Sequence, residues 1–299
     1  MSLRSLHTPY DGSSKLFTIG LKPLDPTDWI DVDHHLRDHL DEKDRVLGRH
    51  PEEVLAVEPG TEDVQAEILE LLIPHLLERY PDQYRLDGNA VALPQAFRRV
   101  RLDDFVPPLL TASQLVQDDL VIMRKGETGW RLVAGCLCFP SSWRLRDKFG
   151  KPMHQVHGPV PGFGEGSRNN DLINRMFDNL QMPVVRWNWS LYGDDVLYHP
   201  EPGNQVKRFG DGDIADRVFF RLERQTLRKL PRSGDILFTI RIMIDPMEAM
   251  ESHLEGPQLA RALIDQLQAL TPEQLDYKGY TAERQRLIDR LERIAAPEV

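Results

Sequence analysis

Hydrophobic positions recur with helical period towards both ends of the chain and with strand period in the block between. Val64, Ile68, Leu71, Leu72 and Leu76 form one apolar stripe and predict a helix over 62–79. Glu62 and Asp63 at its start and Arg79 at its end suit the helix dipole, and Pro74 predicts a kink. The polar run 34–49 reads as a surface helix, and residues 112–118 as a short one. The pattern then changes. Leu120–Lys125 and Trp130–Phe139, joined through Gly126–Gly129, predict a hairpin. Residues 168–180 return to helical spacing. Val184–Leu191, Val218–Leu227 and Ile236–Ile244 predict further strands, the last two joined by a turn over 230–234. From Pro246 onward three helical stretches follow, and Thr271-Pro272-Glu273 marks an N-cap with proline at the first helical position. Strands between 120 and 244 with helices at both ends predict an α+β fold: one antiparallel sheet with helices packed around it, in a single domain.

Composition narrows the function classes. Of 299 residues, 47 are Asp or Glu and 37 are Lys or Arg, a formal net charge of −10. That excess argues against nucleic acid as the main partner, because phosphate binding needs a basic face. No apolar run reaches the ~18 residues of a membrane span. The N-terminus lacks the continuous apolar core of a secretory signal, and the expected location is the cytoplasm. Cys136 and Cys138 are the only cysteines. Two neighbouring thiols suit a reducing compartment and are too few for an iron–sulfur cluster.

The chemistry concentrates in 136-CLCFPSSWRLRDKFGKPMHQVHGPV-160, which leads into the loop 158-GPVPGFGEG-166. His154 and His157 stand just before that loop. A histidine there can be an acid–base group, a metal ligand or a haem ligand, or can simply be structural. Pro159 and Pro161 favour extended backbone at His157. On the strand Arg186-Trp187-Asn188-Trp189, Arg186 and Asn188 share one face and the tryptophans the other. An arginine aimed into a pocket suits a carboxylate, a propionate or a peroxide. In 217-RVFFRLERQTLRKLP-231, alternation puts Arg221, Glu223 and Gln225 on one face. The strand is either an amphipathic edge or one wall of a pocket. Arg144, Arg146 and Lys148 meet an anion or form a solvated basic turn. His35 and His39 share a helix face without a further ligand cluster nearby.

Three ordered motifs, FPSSWRLRDKFGKPMHQVHGPVPGF, VVRWNW and FFRLERQTLRKLPRSGDILFTIR, resemble the haem-dependent oxidative N-demethylase family, which includes the haem subunit of dimethylamine monooxygenase. The resemblance runs from about residue 16 to 270. It implies haem b in a PAS-like antiparallel sheet with added N- and C-terminal helices. It implies His157 of H-G-P-V-P as the axial iron ligand, with His154 as its rival. Arg186 and Glu223 match positions of the distal pocket, and Asn188 is expected with His157 and Arg186 among the cofactor-binding residues. The implied activity is N-demethylation of a small secondary or tertiary amine, using O2, to the dealkylated amine and formaldehyde. The iron's sixth position is open for O2. Glu223 would hold the cationic amine; Arg186 would meet O2, peroxide or a propionate. The chain has no GxGxxG, P-loop or cysteine set and cannot take electrons from NADPH by itself. The resemblance implies that they arrive through a separate flavin and iron–sulfur reductase subunit, with a hetero-oligomeric complex as one arrangement. A haem-binding PAS-type sensor or structural subunit is the alternative. It needs the axial histidine and an apolar distal side, so a pocket carboxylate distinguishes the two.

Overall fold

A computed structural model describes residues 7–102, 106–201 and 208–296. In chain order the elements are β1 (Lys22–Pro23), α1 (Leu36–Arg49), α2 (Pro51–Val54), β2 (Leu55–Val57), α3 (Glu62–Arg79), β3 (Arg85–Leu86), β4 (Ala90–Leu93), β5 (Arg98–Arg101) and α4 (Pro108–Ser113). The hairpin β6 (Asp119–Gly126) and β7 (Gly129–Cys136) follows, then α5 (Leu145–Lys148), α6 (Met153–Val156), α7 (Arg168–Asp178) and β8 (Val184–Tyr192). The chain continues with β9 (Phe219–Lys229), β10 (Ile236–Pro246), α8 (Glu248–Glu251), α9 (Gly256–Ala269), α10 (Pro272–Lys278) and α11 (Arg284–Ala295).

Seven strands pair in the order β1-β8-β9-β10-β6-β7-β2, every pairing antiparallel. This is the α+β fold the sequence predicts. The strand alternation also holds. Arg186 pairs across the ladder with Gln225, and Asn188 with Glu223. β9 lies between β8 and β10, so it is a central strand and the edge-strand reading is overturned.

The two sheet faces differ. On one, Val121, Met123, Leu132, Phe238 and Ile240 line a cavity together with Glu223 and Gln225. The other carries Arg224 and Arg241, paired across β9 and β10, which fasten the N-terminal segment. Arg224 donates to the carbonyls of Trp29 and Asp28, and Arg241 meets the Asp33 carboxylate at 2.8 Å. The C-terminal helices pack with Trp189, Leu191, Phe220 and Leu222 in a second apolar cluster.

Several elements depart from the sequence reading. The three-stranded sheet β3-β4-β5 was not predicted, because its strands are two to four residues long and show no alternation. The helix expected over 112–118 ends at Ser113 instead. α3 is continuous through Pro74, which a kinked helix allows as well as a straight one. α1 is not wholly a surface helix, since Leu36, Leu40, Lys43 and Val46 are buried and the Lys43 ammonium donates to the carbonyls of Ser113 and Asp118. β7 stops at Cys136, three residues early. The Asp119 carboxylate accepts from the amides of Cys138 and Phe139, both at 2.8 Å, and so removes them from the ladder. The two cysteines are free and buried.

Candidate functional site

The cavity holds about 900 Å³ and lies between the sheet and the segment 143–178. Small-molecule sites usually measure about 300–1,000 Å³, so this one takes a large ligand.

His157 closes the single helical turn α6, at φ −95° and ψ 1°, and is not extended as the prolines suggested. The reason is local: a proline restricts the residue just before it, so Pro159 and Pro161 constrain Gly158 and Val160 and leave His157 free. The His157 ring lines the cavity, while its Nδ1 is enclosed without a hydrogen-bond partner. Burial, reinforced by the charges of Lys148 and Arg186, pushes its pKa down to about 3. The imidazole is neutral at physiological pH, the form that ligates a metal. His154, on the same turn, is half-buried and does not line the cavity.

Arg186, Asn188, Glu223 and Gln225 form a polar square on the cavity wall, two residues from each of β8 and β9. Glu223 is buried, and its Oε2 accepts from Gln225 Nε2 at 2.6 Å and Asn188 Nδ2 at 3.3 Å. Arg186 Nε is enclosed and has no hydrogen-bond partner. Burial lowers the Arg186 pKa, and the charge of Glu223 opposes that shift. Arg221, on the same face as Glu223, has a structural task. Its guanidinium donates to Ser141 Oγ and to the carbonyls of Phe139, Pro140, Val196 and Leu197. The structure thus brings His157, Arg186, Asn188 and Glu223 to one cavity and separates Arg221 from them in role.

The basic turn divides as well. Arg144 pairs with Glu201, and Lys148 sits 4.2 Å from the centre of the Trp143 ring. Burial lowers the Lys148 pKa to about 8. Lys148 and the exposed Lys151 both line the cavity. Sequence reasoning missed Tyr277 and Lys278, which reach the cavity from α10. Lys278 Nζ donates to the Trp189 carbonyl and to Ser190 Oγ, and burial lowers its pKa to about 8. No local pattern announces them, because only the packing of the C-terminal helices puts this helix end against β8.

A sequence profile described as "Haem-dependent oxidative N-demethylase, alpha subunit-like" matches residues 20–288. The chain belongs to that family. The haem-dependent oxidative N-demethylase alpha-subunit-like match spans the whole seven-stranded sheet and every cavity residue named above. The fit to haem can be judged on the residues themselves. One wall is apolar, a neutral histidine with an orphaned ring nitrogen faces inward, and Lys148 and Lys151 lie where two propionates could be met. These residues fit the group. Among the described residues, no helix is long and apolar enough to cross a membrane.

Proposed function

We propose that this chain is the haem-carrying, O2-using subunit of an amine N-demethylase, acting on a small secondary or tertiary amine such as dimethylamine. The sheet is read as PAS-like, and the apolar side chains that line the cavity would pack against haem b. The observation that carries the reading is that His157 and Glu223 face one cavity, the first as a neutral imidazole and the second as a buried carboxylate.

His157 would hold the iron from the end of α6, and Lys148 and Lys151 would meet the propionates. Bound haem supplies the oxidising chemistry that puts one oxygen atom of O2 into an N-methyl C–H bond. The other oxygen leaves as water, with two electrons from a reductase partner and two protons from solvent. The carbinolamine product then breaks its C–N bond to give the dealkylated amine and formaldehyde. Glu223 binds and orients the substrate, because an ammonium in a partly dry pocket needs a counter-charge. Asn188 and Gln225 hold that carboxylate in place by donating to Oε2. The chain's two cysteines cannot build an iron–sulfur relay, which supports a separate reductase subunit. A gas-sensing haem pocket would not need a buried carboxylate, so Glu223 favours the enzyme over the sensor.

The test is an absorption spectrum of the purified protein reconstituted with hemin. A Soret band that shifts on adding dimethylammonium is expected. A protein that takes up no haem would overturn the reading, and a Soret band indifferent to every amine would return the chain to the sensor class.

A further inference from the structure

The polar square holds one more charge than a simple amine needs. Dimethylammonium carries a single positive charge, and Glu223 answers it. Arg186 stands beside that carboxylate, with Nε enclosed and unpartnered. The two bonds to Glu223 come from Asn188 and Gln225, both on Oε2, and neither comes from Arg186. The charge of Glu223 acts on the guanidinium without a hydrogen bond to it, and a planar carboxylate is the group whose geometry matches the fork that is left open.

Two sources could bring that carboxylate: a haem propionate or the substrate. Propionates are ionised and hydrated and suit the open side, where the exposed Lys151 lines the cavity. Arg186 instead projects from β8, where its ladder partner is Gln225 of the central strand β9 and its Nε is enclosed. It sits diagonally across the β8–β9 ladder from Glu223, about 7–8 Å apart at the backbone. The two long side chains can narrow that gap to the span of an amino-acid zwitterion.

We propose that Arg186 and Glu223 form a two-headed site for an N-methylated amine that also carries a carboxylate, an N-methyl amino acid. The guanidinium takes the carboxylate, and the glutamate takes the ammonium. The proposal rests on the amine-demethylase reading and narrows its substrate class. Dimethylammonium fills only the Glu223 half. The oxidation is unchanged, because the carboxylate takes no part in the bonds made or broken.

The experiment uses the haem-loaded protein and equilibrium titrations followed at the Soret band, at fixed pH and ionic strength, with N,N-dimethylglycine, dimethylammonium chloride and sodium acetate. N,N-dimethylglycine is expected to bind about 10- to 100-fold more tightly than dimethylammonium, the worth of a charge-assisted bidentate contact. Arg186→Gln should erase that preference, while Arg186→Lys should restore part of it. Equal or weaker binding of N,N-dimethylglycine by the unaltered protein overturns the proposal whatever the variants do, and leaves the demethylase reading standing if dimethylammonium still shifts the band. Haem loss in both Arg186 variants assigns the residue to a propionate and also overturns it. A band indifferent to every amine overturns the proposal and the demethylase reading together.

Discussion

Asn188 and Glu223 stand opposite each other on β8 and β9, and the amide of the first donates to the carboxylate of the second at 3.3 Å. The contact follows from strand register: a shift of one residue in either strand would send that strand's side chain to the other face and part the pair. The same register brings Arg186 opposite Gln225, so the position of the whole polar square is set by main-chain pairing.

The two histidines of α6 should behave differently. His157→Ala is expected to lose haem or its histidine-ligated spectrum, and His154→Ala to keep both, because only His157 lines the cavity. Hemin titration of the two variants checks this. The reverse pattern would move the ligand to His154.

Glu223→Gln should retain haem and weaken amine binding. Truncating one partner of a buried charge pair costs about 2–5 kcal/mol, roughly thirty-fold to several-thousand-fold in affinity. Unchanged affinity at the Soret band, with the haem spectrum intact, would leave the amine without its proposed anchor.

Arg221→Met tests stability apart from ligand binding. Its guanidinium serves four main-chain carbonyls and one hydroxyl. Removing it leaves several acceptors buried without donors, and a loss of at least about 3 kcal/mol is expected in urea denaturation. A loss below about 1 kcal/mol would mean that water replaces the lost donors.

His39 gives the protein an acid-sensitive point. Burial, with the neighbouring Arg241 charge, lowers its pKa from 6.5 to about 3. Between those values the unfolded chain binds a proton that the folded chain does not. This contribution to stability is complete above pH 6.5 and is lost as the pH falls towards 3. Denaturation midpoints measured across that window should fall with pH, and His39→Gln should flatten the slope. An identical slope in the variant would assign the acid sensitivity elsewhere.

The five long strands β6 to β10 were legible from their apolar runs and the turns between them, and with them the faces of Arg186, Asn188 and Glu223. What was not legible depends on distant partners. The early end of β7 is set by Asp119, seventeen residues before Cys136 in the chain but beside it in the sheet. The depth of Lys43 depends on carbonyls at Ser113 and Asp118. Pro159 was read as acting on His157, whereas its ring constrains only the residue before it. Lys278 reaches β8 through a helix packing that no local periodicity encodes.

The central place of β9 has a dynamic consequence. Glu223 and Gln225 hang from a strand bonded on both flanks, so their backbone amides should be among the slowest in the molecule to exchange with deuterium. His157 is carried by one helical turn between loops and should exchange far sooner. The proposed substrate anchor therefore belongs to the stiffest part of the chain and the proposed iron ligand to a softer one. Breathing of the segment 143–166 would admit a flat cofactor without disturbing the alignment of Glu223.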